Sequence, residues 1–158
     1  MSIKITGTGG HAKVVANMIK NSSPVKDDWQ FIAIGNNKIR KKRAEAFAKG
    51  TKFAIVSHEA VTAAGNTQVG EGSVIMPGVV IQPSVIIGKH VILNTSCSVD
   101  HDCIIGDYAH IGPGVHLCGG VKVGEGALMG VGSCAVPNAV INSWSLVKAG
   151  TVAKRMVP

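Results

Sequence analysis

From Val69 onward an aliphatic or small apolar side chain returns at every sixth residue: Val69, Ile75, Ile81, Ile87, Leu93, Val99, Ile105, Ile111, Leu117, Val123, Met129, Ala135, Ile141 and Val147. Four positions after each comes a smaller one, as at Val79, Cys97, Cys103, Ala109, Ala127 and Ser133. Fourteen such hexads run to Val152 without an insertion. A period of six suits no helix. It describes a short strand plus a corner, with three hexads closing a triangular coil and coils stacking at about 4.8 Å. This is a parallel β-helix. Seven hexads place Gly at the fourth position, where a sharp corner calls for positive φ. An eighteen-residue register is visible in Val69-Gly70, Ile87-Gly88, Ile105-Gly106 and Val123-Gly124. A β-sandwich would show variable loop lengths instead.

Residues 1–66 carry a different pattern, that of a small α/β unit, so the chain divides into a head, 1–66, and a coil, 67–158. Ile3–Thr6 predicts a strand, and Gly7-Thr8-Gly9-Gly10-His11-Ala12 matches a glycine-rich turn into a helix running to Asn21. Such a turn lets backbone approach a phosphate, and it also serves plain tight packing. The polar stretch Asn21–Asp28 predicts a loop, Phe31–Ile34 a second strand, Asn37–Lys49 a basic amphipathic helix and Phe53–Val56 a third strand.

Composition narrows the function classes. The chain has 158 residues, 46% of them hydrophobic, and no run reaches the ~20 apolar residues of a membrane span, so it reads as soluble and cytoplasmic. Aromatic residues make up only 4% and do not interleave the basic run Lys38, Arg40, Lys41, Lys42 and Arg43, which argues against nucleic acid. That run reads as a solvated helix face. A net charge of +7 suits anionic ligands. The four cysteines show no C-x-x-C spacing, and no metal is expected.

Within the repeat, chemistry is concentrated where the pattern departs from apolar and small. His101 occupies the third position of its hexad between Asp100 and Asp102, with Pro83 one coil below and Gly119 one coil above. Nothing overhangs the imidazole on that side, leaving a groove in which a backbone N–H near Gly119 can meet a developing oxyanion. Asn94, with Gly112 and Gly130 above it, extends the strip. A neutral histidine beside a carboxylate is suited to take a proton from an attacking amine or hydroxyl. A surface histidine at a corner has the same local sequence.

Gly7–Val15, Ala33-Ile34-Gly35-Asn36 and Val99-Asp100-His101-Asp102-Cys103 inside a hexapeptide repeat resemble the sugar O- or N-acetyltransferases of the sialic-acid and bacillosamine type. The resemblance implies a small Rossmann-like, nucleotide-sugar-binding head followed by a left-handed parallel β-helix. It also implies acetyl-CoA as donor, a nucleotide-linked amino sugar as acceptor, and a homotrimer with active sites between subunits. It makes His101 the general base, Asp102 its orienting acid (where the family often has Glu), and Gly119 the backbone donor to the thioester carbonyl. His110 becomes a second histidine near the acyl donor. Coenzyme A is then expected along Gly112, Gly119, Gly130 and Gly132, with Lys154 and Arg155 at its phosphates. The sugar nucleotide is expected at Gly9, Gly10, His11, Gly35, Asn36 and Asn94. The head is shorter than usual by about one strand and helix, and the tail after the last hexad is short as well. His58, His90 and His116 read as surface residues. Two other classes remain open: a zinc hydratase built on His101, His110 and His116, and a non-catalytic nucleotide-binding scaffold.

Overall fold

The computed structural model describes residues 3–20 and 29–157; the end of the first helix at Asn21 and the loop to Asp28 lie outside the described residues. Most of the described chain is coil. Eighteen two-residue strands form three parallel six-stranded sheets that are the faces of a left-handed prism of about five turns. The first face stacks β3 (Val56–Ser57), β6 (Val74–Ile75), β9 (Ile92–Leu93), β12 (His110–Ile111), β15 (Leu128–Met129) and β18 (Leu146–Val147). The second stacks β4 (Thr62–Ala63), β7 (Val80–Ile81), β10 (Ser98–Val99), β13 (His116–Leu117), β16 (Cys134–Ala135) and β19 (Val152–Ala153). The third stacks β5 (Gln68–Val69), β8 (Ile86–Ile87), β11 (Ile104–Ile105), β14 (Lys122–Val123), β17 (Val140–Ile141) and β20 (Met156–Val157).

Partners differ by eighteen residues, as Ser98 with His116 and Ile104 with Lys122, so the register follows the hexad phase. The first and fifth positions of successive hexads point inward. Leu93, Cys97, Val99, Cys103 and Ile111 are fully buried in one continuous core, each large aliphatic contributing about 1.5–3 kcal/mol. The fourth position has positive φ in all fourteen hexads. Where glycine is missing, Ser84, His90, Ser96, Asp102, Tyr108, Asn138 and Trp144 adopt the left-handed conformation themselves. The corner geometry is thus imposed by the stack, and a non-glycine there bears a local cost of about 1–2 kcal/mol.

The coil departs from the sequence pattern at both ends. It begins at Val56, because β3 and β4 already stack on β6 and β7. At the far end Val140 pairs with Met156, sixteen residues on, so the last corner is only Lys154-Arg155 and the final coil is tightened. These last rungs form the far end of the described prism, with Pro158 outside the described residues.

The head comprises β1 (Lys4–Thr6) and β2 (Gln30–Ile32), paired in parallel, with helices α1 (Gly10–Lys20) and α2 (Asn37–Glu45). Phe53 joins Gln30 by a single bridge, short of a full third strand. The basic helix differs most from expectation. Its inward face is polar: Asn37 and Arg40 are buried, and the Asn37 amide donates to the Gly126 and Ala127 carbonyls of the coil. Lys41 pairs with Glu125 at 2.5 Å and lies over the rings of Tyr108 and Trp144. The run is therefore a docking surface, because the coil offers corner carbonyls and a carboxylate to donors of this helix. Among the described residues no helix is long and apolar enough to cross a membrane.

Candidate functional site

His101 and Asp102 sit on one corner, between the second and third faces. Asp102 is the left-handed residue of its hexad, with φ 61, and its Oδ2 lies 2.7 Å from His101 Nδ1. The other flanking carboxylate acts elsewhere: Asp100 Oδ1 accepts the His101 backbone N–H at 3.1 Å. This division leaves one carboxylate for the ring and one for the main chain. The hydrogen bond that Asp102 accepts from the ring is the main reason that the His101 pKa is raised above its usual 6.5, with Asp100 adding to it. Asp102 thus holds the ring with Nδ1–H inward and Nε2 outward.

Gly119 lies directly against this ring. A Cβ there would stand 2.7 Å from both Cε1 and Nε2 of His101. The backbone around it is pinned, Gly120 N–H donating to the His101 carbonyl at 2.9 Å and the Gly119 carbonyl accepting from Asn138 at 3.0 Å. The residue before Gly119 is Cys118, with no side-chain carboxylate to cap the main chain as Asp100 does, and the Gly119 N–H has no acceptor among the described residues. An open main-chain donor beside an imidazole is what acyl transfer uses to stabilise an oxyanion.

A second group forms where the head meets the first face. Asn94 Nδ2 lies 3.1 Å from His110 Nε2, and the Asn94 Oδ1 accepts the Thr95 N–H at 2.9 Å, so the amide donates and Nε2 accepts. Burial, followed by the nearby Arg40 and His11, lowers the His110 pKa to about 4. His11 is likewise lowered to about 4 by burial and Arg40, and its buried Nε2 has no partner among the described residues.

The glycine-rich turn opens on a cavity of about 530 Å³ lined by residues from Thr6 to His11, by Ala33 to Gly35 and by Arg43. Gly9, Gly10, His11 and Gly35 therefore line one cavity. Asn36 is engaged elsewhere, its side chain capping α2 by accepting the Ile39 N–H. Thr6 and Arg43 also border a second cavity of about 300 Å³ with Ala46 and Phe47. The wall formed by Thr6, Thr8 and Arg43 was not evident from sequence, since only the fold brings the end of β1 beside α2.

The remaining candidates are dispersed within one chain. Gly112 and Gly130 follow the first face, a corner away from His101, and a Cβ on either would meet the next coil's backbone at 2.6 Å, which gives both a packing reason. Gly132 is exposed and open. Lys154 and Arg155 are exposed at the same corner as His101, at the last coil. His90 is a correction: far from being a surface residue, it is 4% exposed, stacked on Tyr108, edge-on to Phe53 and packed over Gly72, because its corner faces the head. His58 accepts the Ala60 N–H, and His116, exposed, lies 2.7 Å from Ser98 Oγ. His101, His110 and His116 stand on different parts of the prism, and no group of three metal-ligating side chains occurs among the described residues.

The bacterial transferase hexapeptide pattern, of six repeats, matches residues 66–101 and 102–134. No curated protein matches the chain in sequence. Among solved structures, PerB from Caulobacter crescentus, crystallised with CoA and GDP-perosamine, is similar at 33% identity and a TM-score of 0.93, over 100% of this chain and 91% of that one. The acetyltransferase domain of PglB from Neisseria gonorrhoeae is similar at 28% identity and 0.91, over 99% and 92%. WeeI from Acinetobacter baumannii shares the fold at 23% identity and 0.90, over 99% and 92%. A hexapeptide pattern over residues 66–134, together with likeness to PerB along the whole chain, establishes that this chain belongs to the bacterial hexapeptide-repeat transferases.

Proposed function

We propose that the protein is an acetyl-CoA-dependent N-acetyltransferase acting on a nucleotide-linked amino sugar. The observation that carries this reading is the His101–Asp102 pair beneath the open Gly119 N–H. PerB, which was crystallised with CoA and a GDP-linked amino sugar, and the PglB domain, which was crystallised with acetyl coenzyme A, support the choice of donor and acceptor class.

The amine nitrogen attacks the thioester carbonyl while His101 Nε2 takes its proton, and the carbonyl oxygen gathers charge against the Gly119 N–H. The C–S bond then breaks, the amide forms, and the proton on His101 passes to the departing thiolate. Asp102 keeps the imidazole oriented and stabilises its charged form. His110 lies by the acyl donor and Asn94 by the acceptor sugar, Lys154 and Arg155 serve the donor's phosphates, and the cavity at Gly9, Gly10, His11 and Gly35 takes the nucleotide of the acceptor with Arg43 as its cation.

The head is a trimmed Rossmann-like unit, and the partition 1–66 and 67–158 separates acceptor binding from the coil, although the first rungs of the prism lie before residue 67. Assembly is a homotrimer in the cytoplasm, which brings His101 of one subunit to the glycine strip of the next. The test is thiol release from acetyl-CoA with paired nucleotide-linked amino and hydroxy sugars. Turnover with the amines alone supports the reading; turnover with hydroxyls alone makes the protein an O-acetyltransferase.

A further inference from the structure

Two cations of α2 are engaged by the coil. Arg40 donates to the His90 and Tyr108 carbonyls at 2.9 and 2.7 Å, and Lys41 pairs with Glu125. Arg43, on the next turn, is exposed and has neither a hydrogen-bond nor an ion-pair partner among the described residues. It stands with Thr6 on the wall that the two cavities of the head share. The larger cavity extends from that wall to the glycine-rich turn and Gly35, the smaller to Ala46 and Phe47.

The smaller cavity, of about 300 Å³, has no part in the reaction as described above. One wall is the half-buried Phe47, whose ring meets Phe53 edge-to-face at 5.3 Å and 85°. Phe53 is buried and is itself edge-on to His90 at 4.6 Å. This chain of rings, anchored on the coil, fixes the orientation of Phe47. Ala46, the residue that ends α2, is small enough to leave the space beside it open. Neither side chain forms hydrogen bonds, so a ligand between them is recognised by the face of a ring. The polar groups of the lining, Thr6 and Arg43, stand only at the shared wall.

Contacts along α2 give the two cavities a direction. Asn37 donates to the Gly126 and Ala127 carbonyls, and Arg40 joins the Gly35 carbonyl to that of Tyr108, close to His110 in the chain. Phe47, at the other end of the helix, reaches His90 one coil lower through Phe53. The Gly35 end of the larger cavity therefore lies toward the rung of His110, and the smaller cavity lies away from it.

We propose that the smaller cavity is the nucleobase subsite of the acceptor, with the base against Phe47, the diphosphate at Arg43 and the sugar at the Gly35 end. The base subsite concerns nucleoside diphosphates as such; only the placing of the sugar rests on the acetyl-transfer reading. An arginine without a partner suits a diphosphate, to which it gives charge-assisted hydrogen bonds. Recognition through a ring face tolerates either base class, since purines and pyrimidines both present one.

The experiment is calorimetry of the full-length protein with UDP, GDP and inorganic pyrophosphate, without acetyl-CoA. UDP and GDP are expected to bind within about threefold of each other and about tenfold or more tighter than pyrophosphate. Ala46→Phe, which fills the cavity from an exposed position, brings both nucleotides down to the level of pyrophosphate and leaves pyrophosphate itself unchanged. Phe47→Ala weakens both nucleotides by about tenfold and pyrophosphate not at all. Nucleotides bound no tighter than pyrophosphate by the wild type overturn the proposal whether or not any variant folds, and so does wild-type nucleotide affinity in a folded Ala46→Phe. A preference greater than about tenfold between UDP and GDP overturns recognition by the ring face. Thiol release separates this proposal from the reaction: turnover of a nucleotide-linked amino sugar with an unchanged KM in Ala46→Phe overturns the subsite and keeps the transferase. Base-dependent binding with no turnover does the reverse.

Discussion

His101 Nδ1 lies 2.7 Å from Asp102 Oδ2, although the two residues are adjacent in the chain. Neighbours usually diverge, and these converge because Asp102 holds φ at 61 as the left-handed corner of its hexad. A structural requirement of the coil thus orients the imidazole.

Asp102→Asn tests that coupling. Asn tolerates the left-handed corner, so the fold is retained. The carboxylate is the leading cause of the raised His101 pKa. A protonated imidazole takes no proton from an amine, so activity rises with pH through the His101 pKa. Without Asp102 that acid limb shifts to lower pH, while kcat on the plateau falls about tenfold or more. An acid limb that stays in place in the pH–rate profile removes Asp102 from the mechanism.

Gly119→Ala places a methyl 2.7 Å from the His101 ring. The neighbour is an exposed side chain, so melting temperature stays nearly unchanged. The imidazole is displaced by about 1 Å, which costs roughly a hundredfold in turnover. Thermal melts alongside kinetics separate the two effects, and wild-type turnover from the variant would show that the ring has no fixed place in the reaction.

Acid is expected to loosen the seam between head and coil. His11, His90 and His110 all have pKa values lowered to about 4, in each case chiefly by burial. The unfolded chain takes up these protons near 6.5 and the folded chain only near 4, so stability is full above 6.5 and is lost as pH falls between those values. The melting temperature falls by on the order of 5 °C across that window. His90→Asn, which keeps a residue tolerant of φ 54, lowers the melting temperature at neutral pH but makes the acid decline shallower. An equally steep decline shows that His90 does not contribute.

Ser96 probes a corner other than that of His101 and Asp102. It is exposed with φ 56. Ser96→Val destabilises by about 1–2 kcal/mol in chemical denaturation, since a β-branched side chain resists the left-handed region, whereas Ser96→Gly is neutral or mildly stabilising. Equal stability of the two variants contradicts a stack-imposed corner.

The coil was legible because one residue in six must be apolar and inward, and Ile75 to Val147 obey that rule. Its start was hidden because the first rungs carry Ser57 and Ala63 at that position, where the open end of the prism leaves them exposed. His101, Asp102 and Gly119 could be aligned from an eighteen-residue register alone. Arg40 and His90 could not. A basic run has the same composition whether it faces water or a row of carbonyls, and His90 is buried only because the head covers its corner. The cavity wall at Arg43 depends on the same tertiary placement, which no local period encodes.

The most direct measurement is the turnover of His101→Ala with acetyl-CoA and a nucleotide-linked amino sugar accepted by the wild type, read beside acetyl-CoA binding by calorimetry. Loss of the base lowers turnover by about 10²–10⁴-fold while acetyl-CoA binds as before. Full turnover by His101→Ala would contradict its assignment as the base.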